Sequence, residues 1–323
     1  MSRNGSRSSR ERHQRHLATT GSPHARQDGR RHPPAAHPRA LLVIVAVLAV
    51  SLAGFCIYAL ASSSGAGDAG AVASASAART ASDSSAATED AGKKDDDRVD
   101  TFAADPNNTA WNFSSNGKKT IYLTFDDGPS ENTQKVLDIL DQYGVKATFF
   151  VTGLNPDYFD MIGVEYEKGH TVGMHTYTHD YAQVYASEDA YFNDLSQIAQ
   201  VVEGQIGYVP AFVRFPGGSS NTICNDYCPG IMDVLTTDVP ARGYQYYDWN
   251  ASCGDGAVHT ADEIAGYACD PSYLQYENII MLMHDANGKE STVEALPRII
   301  EYYQGQGYEF AAISRDSIVV HHR

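Results

Sequence analysis

The chain has 323 residues, with 40 Asp and Glu against 24 Lys and Arg, a formal net charge of -16. That length holds one large domain or two ordinary ones. The acidic balance argues against nucleic acid as a partner.

The charge is uneven along the chain. Residues 1–39 carry nine Arg against Glu11 and Asp28, with few large apolar side chains, so a disordered basic arm is expected. A charge-free apolar run follows at 40–61, long enough to cross a hydrocarbon core of about 30 Å as a helix. Its Arg-rich upstream flank places the N-terminus in the cytoplasm and everything beyond residue 61 outside, the domain being held at the membrane by this single transmembrane helix. Residues 62–114 are small and polar and read as a flexible linker. Folding signals resume near Trp111, and 115–323 form one expected domain.

Within that domain short β-rich runs alternate with helical patterns. "KTIYLTF" reads as a strand, "TQKVLDILDQYG" as a helix ending at Gly144, and "VKATFFVTG" as a second strand. Pro156 opens a helix through Lys168, "HTVGMH" is a third strand, and an amphipathic helix runs from Ser187 to Ile206 before Gly207. "AFVRFP" gives strand four, a helix is expected over 226–239, and "GYQYYDW" gives strand five. Thr260 with Glu263 forms a capping box, "ENIIMLMHD" is strand six, Ser291 with Glu294 caps another helix, and "YEFAAIS" is strand seven. This alternation predicts a parallel α/β fold of about seven strand-helix units, a distorted (β/α) barrel rather than an open sheet. Ligands then sit at the carboxyl ends of the strands.

Those ends carry Asp126 and Asp127, His175, Arg214, Asp248 with Trp249, and His284 with Asp285. Two adjacent carboxylates repel and resist joint burial unless a cation or a proton-transfer role needs them. In "HTYTH", His175 and His179 stand four apart, which brings two imidazoles to one point if the segment makes a helical turn. Two His and one carboxylate leave an open position on a metal, the catalytic rather than the structural pattern. His170, His259, His321 and His322 read as surface groups. Cys224 with Cys228 and Cys253 with Cys269 are the disulfide pairs expected from proximity in the chain, a four-cysteine zinc site being the alternative.

"TFDDG", "HTYTH", "RFPGG", "YDW" and "LMH" occur in the order and spacing of the five motifs of the polysaccharide deacetylases, carbohydrate esterase family 4 with its NodB homology domain, which this chain resembles over roughly 119–314. The resemblance, strongest to membrane-anchored peptidoglycan N-acetylglucosamine deacetylases, implies metal-dependent removal of acetyl groups from sugar polymers. It implies Asp126 as catalytic base, Asp127, His175 and His179 as metal ligands, and Arg214 as the residue that holds the base. Asp248 is implied as the carboxylate that tunes the general acid His284. Tyr177, Pro216, Gly218, Trp249 and Leu282 are implied to contact substrate, with Leu282 shaping the acetyl pocket and Trp249 an apolar wall. A backbone N–H near Tyr177 or Thr178 is expected to stabilise the oxyanion. The ion is expected to be divalent, zinc first, with cobalt, manganese or nickel also compatible. Gly217 stands where many members carry an aromatic residue, which would open the sugar surface there. The expected substrate is cell-wall glycan. Chitin oligosaccharide, poly-N-acetylglucosamine and acetylated xylan are the alternatives, and a non-catalytic glycan-binding module is the reading from another class. A serine esterase is disfavoured, because no G-x-S-x-G occurs.

Overall fold

The computed structural model describes residues 97–109, 111 and 117–323. Eight strands build one sheet: β1 (Thr120–Asp126), β2 (Thr148–Val151), β3 (Thr171–Met174), β4 (Phe212–Val213), β5 (Gln245–Tyr246), β6 (Ala251–Ser252), β7 (Asn278–His284) and β8 (Glu309–Phe310). Their order is β5-β4-β3-β2-β1-β7-β6, and every pairing is parallel. β8 pairs with the first half of β1, on residues 120 and 121, while β2 takes 124 to 126.

Strand alternation sorts the side chains into two layers. Ile121, Leu123, Phe125, Phe149, Val151, Ile279, Met281 and Met283 face the helices and form the main core. Tyr122, Phe150, Phe212, Tyr247 and Ile280 face the other way and fill the barrel interior with Ile313. The edge strands β5 and β6 are joined by residues 247–250 alone. Five residue steps span at most about 17 Å, so the two edges lie near each other and the sheet must curl into a half-barrel. They do not pair with each other. Instead the C-terminal segment enters the seam, where Asp248 N–H donates to Val320 O at 2.9 Å.

The helices are α1 (Asp97–Phe102), α2 (Thr133–Tyr143), α3 (Asp160–Glu167), α4 (Tyr181–Val184), α5 (Glu188–Ile206), α6 (Ile231–Ala241), α7 (Ala261–Ala268) and α8 (Glu290–Gly305). Several ends follow the sequence signals. Gly144 and Gly207 close α2 and α5 in the left-handed conformation, Ser187 caps α5, and Thr260 and Glu263 form the capping box of α7. Others differ. A 3-10 turn at Pro156–Tyr158 precedes α3, α6 starts at Ile231 rather than near 226, and α8 begins at Glu290 with Lys289 as its uncapped N-cap rather than at a Ser291 box. β6 has no counterpart among the expected strands. Residues 97–109 and Trp111, placed in the linker by composition, pack on the barrel. Phe102 and Trp111 meet Phe212 edge-on at 5.3 and 5.8 Å.

Two expectations are corrected. Among the described residues no helix is long and apolar enough to cross a membrane. The longest, α5, has 19 residues and carries Glu188, Asp189, Asp194 and Glu203. The expected span, 40–61, lies outside the described residues, as does the basic arm. Among the described residues the fold is the α/β half-barrel with no membrane-spanning helix, and the membrane partner and membrane localisation drawn from 40–61 are withdrawn. The four described cysteines are unbridged. Cys224 Sγ donates instead to Asn221 O at 3.1 Å, and the Cys253 thiol faces Asp255.

Candidate active site

The residues at the mouth of the barrel owe their direction to the same alternation. Thr124, Asp126, Leu282 and His284 have the inward parity of Tyr122 and Ile280, and the β1/β7 register sets Asp126 beside His284. Asp126 is 2 % exposed. Arg214, one step past β4 and fully buried, donates from Nη1 to Asp126 Oδ1 and to Thr124 Oγ1, each at 2.8 Å. Its Nε donates to Tyr247 O at 3.0 Å and its Nη2 to Asp248 O at 3.2 Å, while Phe150 lies under the guanidinium at 4.3 Å. Burial raises the Asp126 pKa above the ordinary carboxylate value, against the opposing pull of Arg214 and, more weakly, His284.

Asp127 breaks the strand with φ 69°, which turns its carboxylate away from Asp126 and toward the two histidines. Its Oδ1 lies 3.6 Å from His175 Nε2 and 3.3 Å from His179 Nε2. The "HTYTH" segment is not the expected helical turn. Left-handed backbone at Thr176 (φ 69°) and His179 (φ 50°) folds it into a loop that brings the imidazoles within 5.1 Å, centre to centre. Asp194 of α5 holds that loop, accepting from Tyr177 N, Thr178 N and Thr178 Oγ1. Those N–H groups are thus committed to Asp194, which removes them as the expected oxyanion donors.

His175 Nδ1–H donates to Arg214 O at 2.8 Å, leaving the Nε2 lone pair aimed at Asp127. Burial lowers the His175 pKa to about 3, despite Asp127, so the ring is neutral. Two lone pairs therefore face each other, and Asp127 Oδ1 is buried with no hydrogen-bond partner. A cation resolves this. Ligand atoms about 2.1 Å from a tetrahedral or octahedral ion stand roughly 3.0–3.5 Å apart, close to the separations seen. Asp127, His175 and His179 form a divalent-metal ligand cluster, the one such group among the described residues.

The carboxylate beside His284 is Asp255, not Asp248. His284 donates from Nδ1 to Asp255 Oδ1 and from its backbone N–H to Asp255 Oδ2, both at 2.8 Å, and Thr292 Oγ1 donates to Oδ2 at 2.8 Å. Burial works against charge on His284, but Asp255, supported by Asp126 and Asp127, outweighs it and lifts the pKa to about 9. Asp248 follows inward-facing Tyr247 and so points to the opposite side. There it accepts from Ser219 N at 2.8 Å, Ser219 Oγ, and His322 N at 2.7 Å. The distance from Trp249 in "YDWNASCGD" hides Asp255, although an Asp after Gly254 in a strand-end loop was a signal available to find it.

The expected substrate contacts are spread around the mouth. Leu282 and Trp249 are partly exposed there, and Tyr177 lies over Gly153. Pro216 and Gly218 are buried; Pro216 O accepts from Tyr185 Oη at 2.7 Å, and a Cβ on Gly218 would stand 2.9 Å from the Trp249 ring. Gly217 is exposed, and the Tyr181 hydroxyl lies 2.5 Å from where its Cβ would be.

A parallel half-barrel whose strand ends gather a metal cluster, a buried carboxylate and a protonated imidazole defines a metal-dependent hydrolase. Comparison with known proteins narrows the class. The polysaccharide deacetylase family profile matches residues 114–228. A peptidoglycan-N-acetylglucosamine deacetylase of Bacillus cereus is 32% identical over 216 residues, covering 64% of this chain and 73% of that protein. The catalytic domain of peptidoglycan N-acetylglucosamine deacetylase from Eubacterium rectale superposes with a TM-score of 0.64 at 45% identity, covering 68% of this chain and 99% of that one. A bifunctional xylanase/deacetylase of Pseudobutyrivibrio xylanivorans is 33% identical over 213 residues, 64% of this chain and 32% of that protein. The chain belongs to the polysaccharide deacetylase family, carbohydrate esterase family 4.

Proposed function

We propose that this metal-dependent deacetylase hydrolyses N-acetyl groups of N-acetylglucosamine residues in cell-wall peptidoglycan and releases acetate. The observation that carries the reaction is the pairing of Asp126 with His284 across β1 and β7, beside the Asp127–His175–His179 cluster. The substrate rests on likeness to relatives named as peptidoglycan deacetylases. A divalent ion, zinc in our reading, would be held by Asp127, His175 and His179 and would supply Lewis acidity toward the acetyl carbonyl and toward water.

The chain's own residues do the rest. Asp126 is kept in place by Arg214 and takes a proton from the attacking water at Oδ2, the oxygen not bound by the guanidinium. His284, charged through Asp255, gives a proton from Nε2 to the departing sugar nitrogen, without which amide cleavage stalls. Leu282, of inward parity and next to His284, lies where it can contact the acetyl methyl, and Trp249 walls the sugar. Tyr177 completes the rim, with Pro216 and Gly218 buried behind it.

The test is acetate and free-amine release by the purified protein with divalent metal on peptidoglycan, chitin oligomers and acetylated xylan. Release from peptidoglycan is expected. Release from none would remove the enzyme reading, and release from xylan alone would favour the second reading, for which the likeness to a xylanase/deacetylase speaks.

A further inference from the structure

A second cleft of about 400 Å3 opens at the seam between β5 and β6, on the flank of the barrel. Its walls include Trp249, Asn250, Ser252, Tyr273, Tyr276 and His322, and no Asp, Glu, Lys or Arg lines it. In a chain where 20% of residues are charged, a charge-free wall is a selective feature of this surface. The polar groups there are largely engaged with the protein itself. Asn250 donates to Asn278 O and accepts from Ile280 N, His322 Nε2 contacts Trp249 O at 2.6 Å, and the Tyr273 hydroxyl bridges Ser252 N and O at 3.3 Å. What remains for a ligand is aromatic surface, chiefly Tyr276, which is 38 % exposed. The volume lies in the roughly 300–1,000 Å3 range of small-molecule sites. A neutral ring with apolar C–H faces and hydroxyls at its edge suits such walls, whereas an ion or a charged peptide would find no counter-charge.

The cleft and the mouth of the barrel share Trp249. Its ring edge meets Gly218 on the catalytic side, and it lines the cleft on the other. Ser252 stands beside Leu282 in the β6/β7 register, and His284 lies two residues further, about 7 Å along the strand.

We infer that this seam cleft is a saccharide subsite, holding an uncharged pyranose ring of the same glycan chain whose acetyl group is presented to the metal cluster. The inference rests on the glycan reading above and extends the enzyme's footprint from one sugar to several. Chain length then matters to affinity, and a polymer is held better than a monosaccharide.

Tyr276→Ala and Tyr276→Trp test it. Tyr276 supports the fold through its backbone carbonyl, which accepts from Tyr308 Oη at 2.6 Å and survives either change. Tyr276→Ala is expected to raise KM for polymeric peptidoglycan about fivefold to tenfold with kcat unchanged, to leave kinetics on an N-acetylglucosamine disaccharide unchanged, and Tyr276→Trp to restore the polymer KM. A turnover-free measurement separates this from the function itself. The Asp126→Asn protein should cosediment with insoluble peptidoglycan, be released by soluble N-acetylglucosamine oligomers, and lose binding when Tyr276→Ala is added. Absence of acetate release by the parent protein would remove the function reading while the sedimentation result still decides the cleft. Unchanged sedimentation and polymer KM in Tyr276→Ala, or release by free stem peptide and not by sugar oligomers, would overturn the subsite.

Discussion

Asp126 and Asp127 are neighbours in sequence with separate surroundings, because the left-handed φ of Asp127 sends its carboxylate to the histidines while Asp126 stays on the strand with Arg214. In the proposed reaction that split gives one carboxylate to the metal and the other to proton transfer. Asp126→Asn should lower kcat by about 10²–10⁴ while metal content, measured by elemental analysis, stays at the parent level. Removal of the ion by a chelator should abolish acetate release and lower the melting temperature, and divalent metal should restore both, since Asp127 Oδ1 is otherwise buried and unpaired. His284 works as an acid only while protonated, so activity should fall as pH rises through about 9. Asp255→Asn deletes the main raising influence and leaves burial to act, so that alkaline limb of the pH–rate profile should move well below 9, toward or under the usual histidine value. The same shift makes the His284 charge a stabilising contribution that is complete below pH 6.5 and lost as pH passes 9.

At the scale of elements, the site depends on how tightly strands and loops approach. Gly173 in β3 takes the inward parity shared with Phe150 and Phe212, and a Cβ there would stand 2.7 Å from the Phe150 ring and 3.0 Å from Phe212 O. Gly173→Ala should destabilise the fold by about 1–3 kcal/mol in urea titration through overpacking of the barrel interior, beneath Arg214. The three short stretches that carry chemistry, at the ends of β1, β3 and β7, were readable as strand ends because their apolar runs stop at polar residues. The two-residue strands β4, β5 and β6 were less legible, since so few residues give no period to read. His170, expected at the surface, is instead 1 % exposed, accepts from Ala147 N at 3.1 Å, and has its pKa lowered to about 4 by burial, whereas His321, stacked on Tyr246 at 3.8 Å, and His322 are exposed as expected.

For the whole molecule, both ends of the described chain close the half-barrel. Arg315 donates to Thr101 O, Asn108 O and Ala103 O and lies 4.3 Å over the Trp111 ring, tying 97–109 and Trp111 to the C-terminal segment. Arg315→Ala should cost about 1–3 kcal/mol of unfolding free energy, because three part-buried carbonyls lose their donor together, with little change in acetate release by the protein that remains folded.

The order of β-rich and helical runs, the two adjacent aspartates and the spaced histidines were determined by the sequence alone, because hydrophobic period and residue chemistry are local properties. Tertiary structure decided which carboxylate meets His284. Asp248 and Asp255 are equally plausible in the chain, but strand parity turns one toward Ser219 and His322 while the loop after β6 carries the other to the imidazole. It also decided how "HTYTH" closes on Asp127 and that Asp194, sixteen residues beyond Thr178, occupies the N–H groups of that loop. Such pairings depend on the fold of segments far apart in sequence, and no local pattern encodes them.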